Sequence, residues 1–176
     1  MLTARKARRL ILPSNLIKMS PGKFYTLDRL KTVLEKERNR QKTIALVNGR
    51  FDLIHIGHIR YLKGARQTAD MLVVVLNSHQ SLKKLKGKTR AILDQKSRVR
   101  LLASFECVDY VTLCNEGTVD HVLLTLKPDV YCKGSDYRKD TVPERETVKS
   151  YGGKIAIVGG EKVKSTSQII KHLRSK

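Results

Sequence analysis

The 176-residue chain is 40% hydrophobic and 30% charged, enough for one soluble core, and no apolar run approaches the roughly 20 residues that a membrane-spanning helix needs. Lys and Arg number 36 against 16 Asp and Glu, a formal net charge of +20 that favours anionic partners without choosing among nucleotides, phosphorylated sugars, nucleic acid and acidic membrane surface. Aromatic residues are only 5% and Trp is absent, so there is little material for stacking bases, and no specific nucleic-acid partner is expected. The three cysteines, Cys107, Cys114 and Cys132, form no CxxC pair. That argues against a disulfide framework or a zinc ribbon and predicts a reducing cytoplasm, with Cys107 and Cys132 as small buried hydrophobes.

Residues 1–25 read as a basic N-terminal extension, with Arg5, Lys6, Arg8, Arg9, Lys18 and Lys23 and no acid. An Arg-rich, acid-poor segment also suits a transit peptide, but a flexible arm is the expected reading. The remainder, 26–176, is predicted to be one domain. Thr26 is placed to cap a helix with Leu27, Leu30, Val33 and Leu34 on one face. The apolar run 44–47 predicts a strand, and Ile59, Leu62 and Ala65 begin a helix reaching about residue 68. Residues 71–76 are apolar on every side, as in a strand of a parallel sheet covered on both faces.

A basic loop is expected to follow, holding Lys83, Lys84, Lys86, Lys88 and Arg90. It enters a helix capped by Asp94 and packed through Val99, Leu102 and Ala103. Strands are predicted at 108–113, 129–132 and 155–158. Between them lie a helix with Val119, Val122, Leu123 and Leu126 on one face, and another with Pro143 at its first position and Gly152-Gly153 past its end. Ser165-Thr166-Ser167 is placed to cap a terminal helix. No internal repeat is present. Alternating strands and helices predict an α/β fold, a Rossmann-like doubly wound parallel sheet, with ligands at the carboxyl ends of its strands.

The stretch 48–58, Asn-Gly-Arg-Phe-Asp-Leu-Ile-His-Ile-Gly-His, joins the first strand to its helix. Its two histidines are three apart, so they share one side of the helical first turn. Backbone N–H groups, the helix dipole and two imidazoles then converge on one point, an arrangement suited to phosphate. Two structural histidines are the plainer alternative. A zinc site lacks a third ligand at suitable spacing. No GxGxxG follows any strand, and in the segment 159–166 Lys164 stands where a P-loop needs its second glycine.

Residues 49–58 resemble the GxFDxxHxGH signature of the cytidylyltransferase-like nucleotidyltransferases. Leu85-Lys86-Gly87, Val108-Asp109-Tyr110-Val111, Lys133-Gly134-Ser135-Asp136-Tyr137, Gly152-Gly153 and the segment 165–170 are similar to the heptose 1-phosphate adenylyltransferase domain of ADP-heptose synthesis enzymes. The resemblance implies transfer of a nucleoside monophosphate from ATP to a sugar 1-phosphate with release of pyrophosphate. Mg2+ is implied by the triphosphate, and no protein metal site is expected. Similar enzymes that prefer another acceptor, such as glycerol-3-phosphate cytidylyltransferase or FAD synthetase, share the signature, so ATP or CTP is left open.

In such a reaction His55 and His58 hold the triphosphate and the developing charge, and Lys84 and Lys86 of the basic loop clamp acceptor and triphosphate, with Lys83 and Lys88 as alternatives. By the resemblance Gly49, Arg50, Phe51, Asp52, Gly57, Asp136, Ser165 and Thr166 belong to nucleotide binding, Asp52 closing the turn and orienting a backbone amide or a Mg2+-bound water. Arg98 and Lys133 are candidates for phosphate or acceptor, an exposed helical position being an equally good account of Arg98. A homodimer is expected because similar enzymes are often dimers. Three residues depart from the pattern: Ser135 replaces a glycine, Ser167 replaces a threonine, and Arg50 stands where a cysteine is usual.

Overall fold

The run 44–47 lies at the centre of the fold because it can be buried on both sides. Ile44, Ala45, Leu46 and Val47 are all fully buried. In the computed structural model, which describes residues 22–86 and 91–160 (backbone only at 83–86), they belong to β1 (Ile44–Gly49). β2 (Met71–Asn77), β3 (Tyr110–Cys114), β4 (Val130–Gly134) and β5 (Lys154–Val158) complete a sheet of order β3-β2-β1-β4-β5 among the described residues. Every pairing is parallel.

Helices cover both faces. Ile44 and Leu46 pack into a cluster with Leu30 and Leu34 of α1 (Leu27–Asn39), Leu123 and Leu126 of α5 (Asp120–Leu126) and Val148 of α6 (Arg145–Ser150). Ala45 and Val47 point the other way, to Leu62 and Ala65 of α2 (Ile56–Arg66) and Val99 and Leu102 of α4 (Gln95–Ala103). The doubly wound α/β arrangement is therefore as expected. Asp94 caps α4 by accepting the Ser97 N–H at 2.8 Å. Thr26 precedes α1 without a side-chain cap bond. α6 starts two residues beyond Pro143, and Cys107 is only half-buried.

One segment departs from expectation. Residues 79–86 are not a loop but α3 (His79–Lys86). The Ser78 hydroxyl accepts the Ser81 N–H at 3.1 Å, a cap that starts the helix, and Ser81 and Leu82 are buried. Of the N-terminal extension only 22–25 are described, and there Val111 exchanges backbone bonds with Lys23 and Tyr25. The terminal-helix cap at 165–167 lies outside the described residues.

The two edges of the sheet are treated differently. At the amino edge carboxylates take up the strand N–H groups: Asp70 accepts from Thr43, Asp129 from Ile44 and Asp109 from Leu72, at 2.7–2.8 Å. The carboxyl edge is left open. Strand order reverses there between β1 and β4, the place where an open α/β sheet forms a crevice.

Gly64, inside α2, sets one wall of that crevice. A Cβ on it would sit 3.1 Å from the Gly159 nitrogen and 3.2 Å from the Val158 Cβ. Mid-helix glycine costs roughly 1 kcal/mol relative to alanine, so the close approach outweighs propensity. Gly64→Val is expected to destabilise by about 1–3 kcal/mol, read as a lower urea midpoint, because neither backbone can yield cheaply. An unchanged midpoint would mean that the two segments do not touch in solution.

Candidate active site

The site grows from the turn after β1. Phe51 adopts a left-handed backbone (φ 42°), unusual for a bulky residue and often found where structure serves a site. Its ring folds back under the strand end and is 2% exposed. Gly49 makes room for it, since a Cβ there would lie 3.0 Å from the Phe51 Cε2. The ring stacks on Tyr61 at 6.4 Å and tilts against His58 at 5.3 Å. Tyr61 is in turn fixed by donating to the Cys132 carbonyl at 2.7 Å.

Asp52 turns away from the cleft. Its carboxylate is 5% exposed and accepts the N–H groups of Ile92 and Leu93, both at 2.9 Å. It tethers the start of the α4 segment to the motif and does not line the cleft.

His55 sits at the N-cap of α2 with extended backbone, and its side chain caps nothing. No acidic side chain occupies the first turn. The positive end of the helix is thus left for an external anion. His58 follows at the third helical position, and the two rings stack with centroids 3.9 Å apart. Two imidazolium charges at that distance would repel by about 4 kcal/mol at an effective dielectric constant near 20, so the pair carries at most one positive charge.

Burial lowers His55, and it brings His58 down to about 4, with the His55 charge adding to the drop and the Leu53 backbone opposing it. Both rings are neutral at pH 7. Because the folded value of His58 lies below the ordinary 6.5, the unfolded chain takes its proton first as pH falls. Stability should hold above about pH 6.5 and decline toward about pH 4, and His58→Gln should flatten part of that decline. Urea unfolding of both proteins between about pH 7 and about pH 5 checks the sign. Parallel slopes would contradict it.

β4 supplies the opposite wall. Lys133 is buried, its Nζ 3.2 Å from Glu144 Oε1 and 3.3 Å from Asn48 Oδ1. The Tyr131 hydroxyl donates to the same Asn48 oxygen at 2.9 Å, and the ammonium lies 4.9 Å from the Tyr137 ring centroid. Burial lowers Lys133, and Glu144 opposes the drop. Together these walls enclose a cleft of about 390 Å3 at the β1–β4 switch.

Of the residues singled out from sequence, Gly49, Arg50, Phe51, His55, Gly57, His58, Lys133 and Asp136 all line this cleft. Arg98 does not. It is neither exposed nor a cleft group: its side chain is fully buried, and one Nη donates to the carbonyls of Arg50 at 2.8 Å and Asn77 at 2.9 Å. The other Nη lies 3.3 Å from His79 Nδ1, so Arg98 ties the ends of β1 and β2 to the start of α3. The helix carrying Lys84 and Lys86 is anchored there, while the side chains of both lysines, together with Ser165 and Thr166, lie outside the described residues. Asn48, Tyr61, Asn77, Tyr137, Gly159 and Gly160 also line the cleft; Asn48 and Tyr137 lie in stretches singled out from sequence, but none of the six was named as a site residue. Five of these six stand at or just beyond the carboxyl end of a strand, the signal that would have found them.

A cytidylyltransferase-like family model matches residues 46–175. Similar curated proteins include the bifunctional protein HldE of Syntrophotalea carbinolica, 41% identical over 86% of this chain and 31% of the relative, and that of Methylobacillus flagellatus, 42% identical over 87% and 31%. The chain thus spans about a third of the length of the curated relatives it matches. Among solved structures, the lipopolysaccharide core biosynthesis protein from Thermoplasma volcanium is 28% identical, with a TM-score of 0.60 over 70% of this chain and 99% of that one. A pantoate-beta-alanine ligase from Francisella tularensis is 16% identical, with a TM-score of 0.55 over 82% and 69%, a likeness of fold alone.

Proposed function

The chain belongs to the cytidylyltransferase-like family, and on that premise we propose that it transfers the nucleoside monophosphate of ATP to a sugar 1-phosphate, heptose 1-phosphate first among candidates, releasing pyrophosphate and an ADP-sugar. The observation that carries the reading is the stacked His55–His58 pair at the uncapped start of α2, opening into the cleft between the ends of β1 and β4. The substrate choice draws on relatives that bear the name HldE.

The chemistry suits these groups. A sugar phosphate oxygen is already ionised at neutral pH, so attack on the α-phosphorus needs no general base. The barrier is the approach of one anion to another, and catalysis rests on alignment and on neutralising charge in the transition state. His55 and His58 enter as neutral rings that donate hydrogen bonds to phosphate oxygens, and the first-turn N–H groups of α2 add to them. Asp52 and Arg98 act behind the site by fixing the backbone at 92–93 and at 50.

Mg2+ would enter with the nucleotide and would supply neutralisation of phosphate charge. Among the described residues no group of three or more His, Cys, Asp or Glu is arranged to hold a metal, and Asp136 is the cleft-lining carboxylate able to accept from the ion's hydration waters. A homodimer and a cytoplasmic location belong to the same proposal. Ile92, Leu101 and Leu124 are large apolar side chains exposed at the surface, and no helix among the described residues is long and apolar enough to cross a membrane. Sedimentation velocity tests the dimer.

Pyrophosphate release measured with ATP and CTP against sugar 1-phosphates and glycerol 3-phosphate tests the reaction. The reading expects ATP with a sugar 1-phosphate to give the highest kcat/KM. Turnover only with CTP and glycerol 3-phosphate would move the chain to another branch of the family.

A further inference from the structure

A cleft that receives two polyanions needs positive charge that is both permanent and uncommitted. Among the described residues that line it, the basic groups are His55, His58, Lys133 and Arg50. The histidine rings, 3.9 Å apart, carry one charge at most between them. Lys133 is already matched, its Nζ 3.2 Å from Glu144 and its side chain only 8% exposed.

Arg50 is what is left. Among the described residues no carboxylate lies within ion-pair distance of its guanidinium. Its backbone is held from behind by Arg98, whose Nη donates to the Arg50 carbonyl at 2.8 Å. Arg98 itself is sealed within the protein and has the carboxylates of Asp52 and Asp94 near it, so it is not available to a phosphate in the cleft.

We infer that Arg50 is, among the described residues, the phosphate-binding cation of this cleft, gripping oxygens of the nucleotide and acceptor phosphates and supplying fixed charge that the neutral histidine pair does not. A guanidinium suits this task because it stays charged at all working pH values and meets phosphate with two parallel hydrogen bonds. The inference rests on the nucleotidyltransferase reading for its substrate. It also explains what a cysteine at this position would lack.

The test uses the full chain with Arg50→Gln, Arg50→Cys and Arg50→Lys. Each variant is assayed for pyrophosphate release from ATP with a sugar 1-phosphate, and for binding of inorganic tripolyphosphate by calorimetry at two salt concentrations. Arg50→Gln and Arg50→Cys are expected to lose at least about a hundredfold in kcat/KM and about tenfold in tripolyphosphate affinity, with a shallower salt dependence. Arg50→Lys should recover part of the affinity and less of the rate. Unchanged circular dichroism and thermal midpoint would show that folding is not at issue.

If Arg50→Gln stays within about threefold of wild type in both readouts, the inference is overturned while the proposed reaction stands. If the wild type releases no pyrophosphate with any pair, yet binds tripolyphosphate through Arg50, the reaction falls and the phosphate site stands.

Discussion

His58→Ala is expected to lower kcat for nucleotidyl transfer at least about a hundredfold, the usual scale for losing one transition-state donor. The ring sits at the first turn of α2, half-buried, tilted on Phe51 and stacked on His55. Its ring is tied to the Leu53 backbone, so a modest loss of stability should accompany the variant, and the loss of turnover should be the larger effect. KM for ATP should change far less than kcat, because the donor matters most as charge builds at the α-phosphorus. Steady-state kinetics that kept kcat within about fivefold of wild type would remove His58 from the chemistry.

Glu144→Ala is expected to be the most destabilising single change in the cleft. It would leave the Lys133 ammonium buried with Asn48 Oδ1 and two aromatic faces in place of a carboxylate. Breaking a buried pair from one side typically costs about 3–5 kcal/mol, whereas replacing both partners by apolar groups can be close to neutral. Lys133→Met combined with Glu144→Leu should therefore recover most of the stability lost by Glu144→Ala, yet remain poor in turnover. Urea unfolding of the single and double variants gives the comparison, and a double variant no more stable than the single one would contradict it.

Much of this was legible in the chain. The apolar runs at 44–47 and 71–76 had only one physical use, strands covered on both faces, and the turn at 48–58 carried its own chemistry in the spacing of two histidines. What escaped were features created by tertiary contact. Arg98 lies on a helix with polar neighbours, and nothing local says that the backbone carbonyls of Arg50 and Asn77 will draw its guanidinium inside. Asp52 stands within the signature, yet it serves amides some 40 residues away in sequence. A buried lysine implies a partner, but that Glu144 would be the partner of Lys133 is decided by how α6 packs beside β4. Residues 79–86 were a different miss. Their lysines suggested a basic loop, and the Ser78 cap that turns them into a helix was there to be read. Arg50 was visible from the start as a departure from the signature, and the cleft gives that departure a use.

In the proposed reaction the bond broken lies between the α- and β-phosphates, and the α-phosphorus passes to a sugar phosphate oxygen. ATP labelled at the α-phosphate, incubated with the protein, Mg2+ and heptose 1-phosphate, tests it in one experiment. The account predicts label in a nucleotide-sugar product, unlabelled pyrophosphate in equal amount, and no ADP. Labelled ADP with a doubly phosphorylated sugar, the outcome of attack at the γ-phosphate, would contradict it.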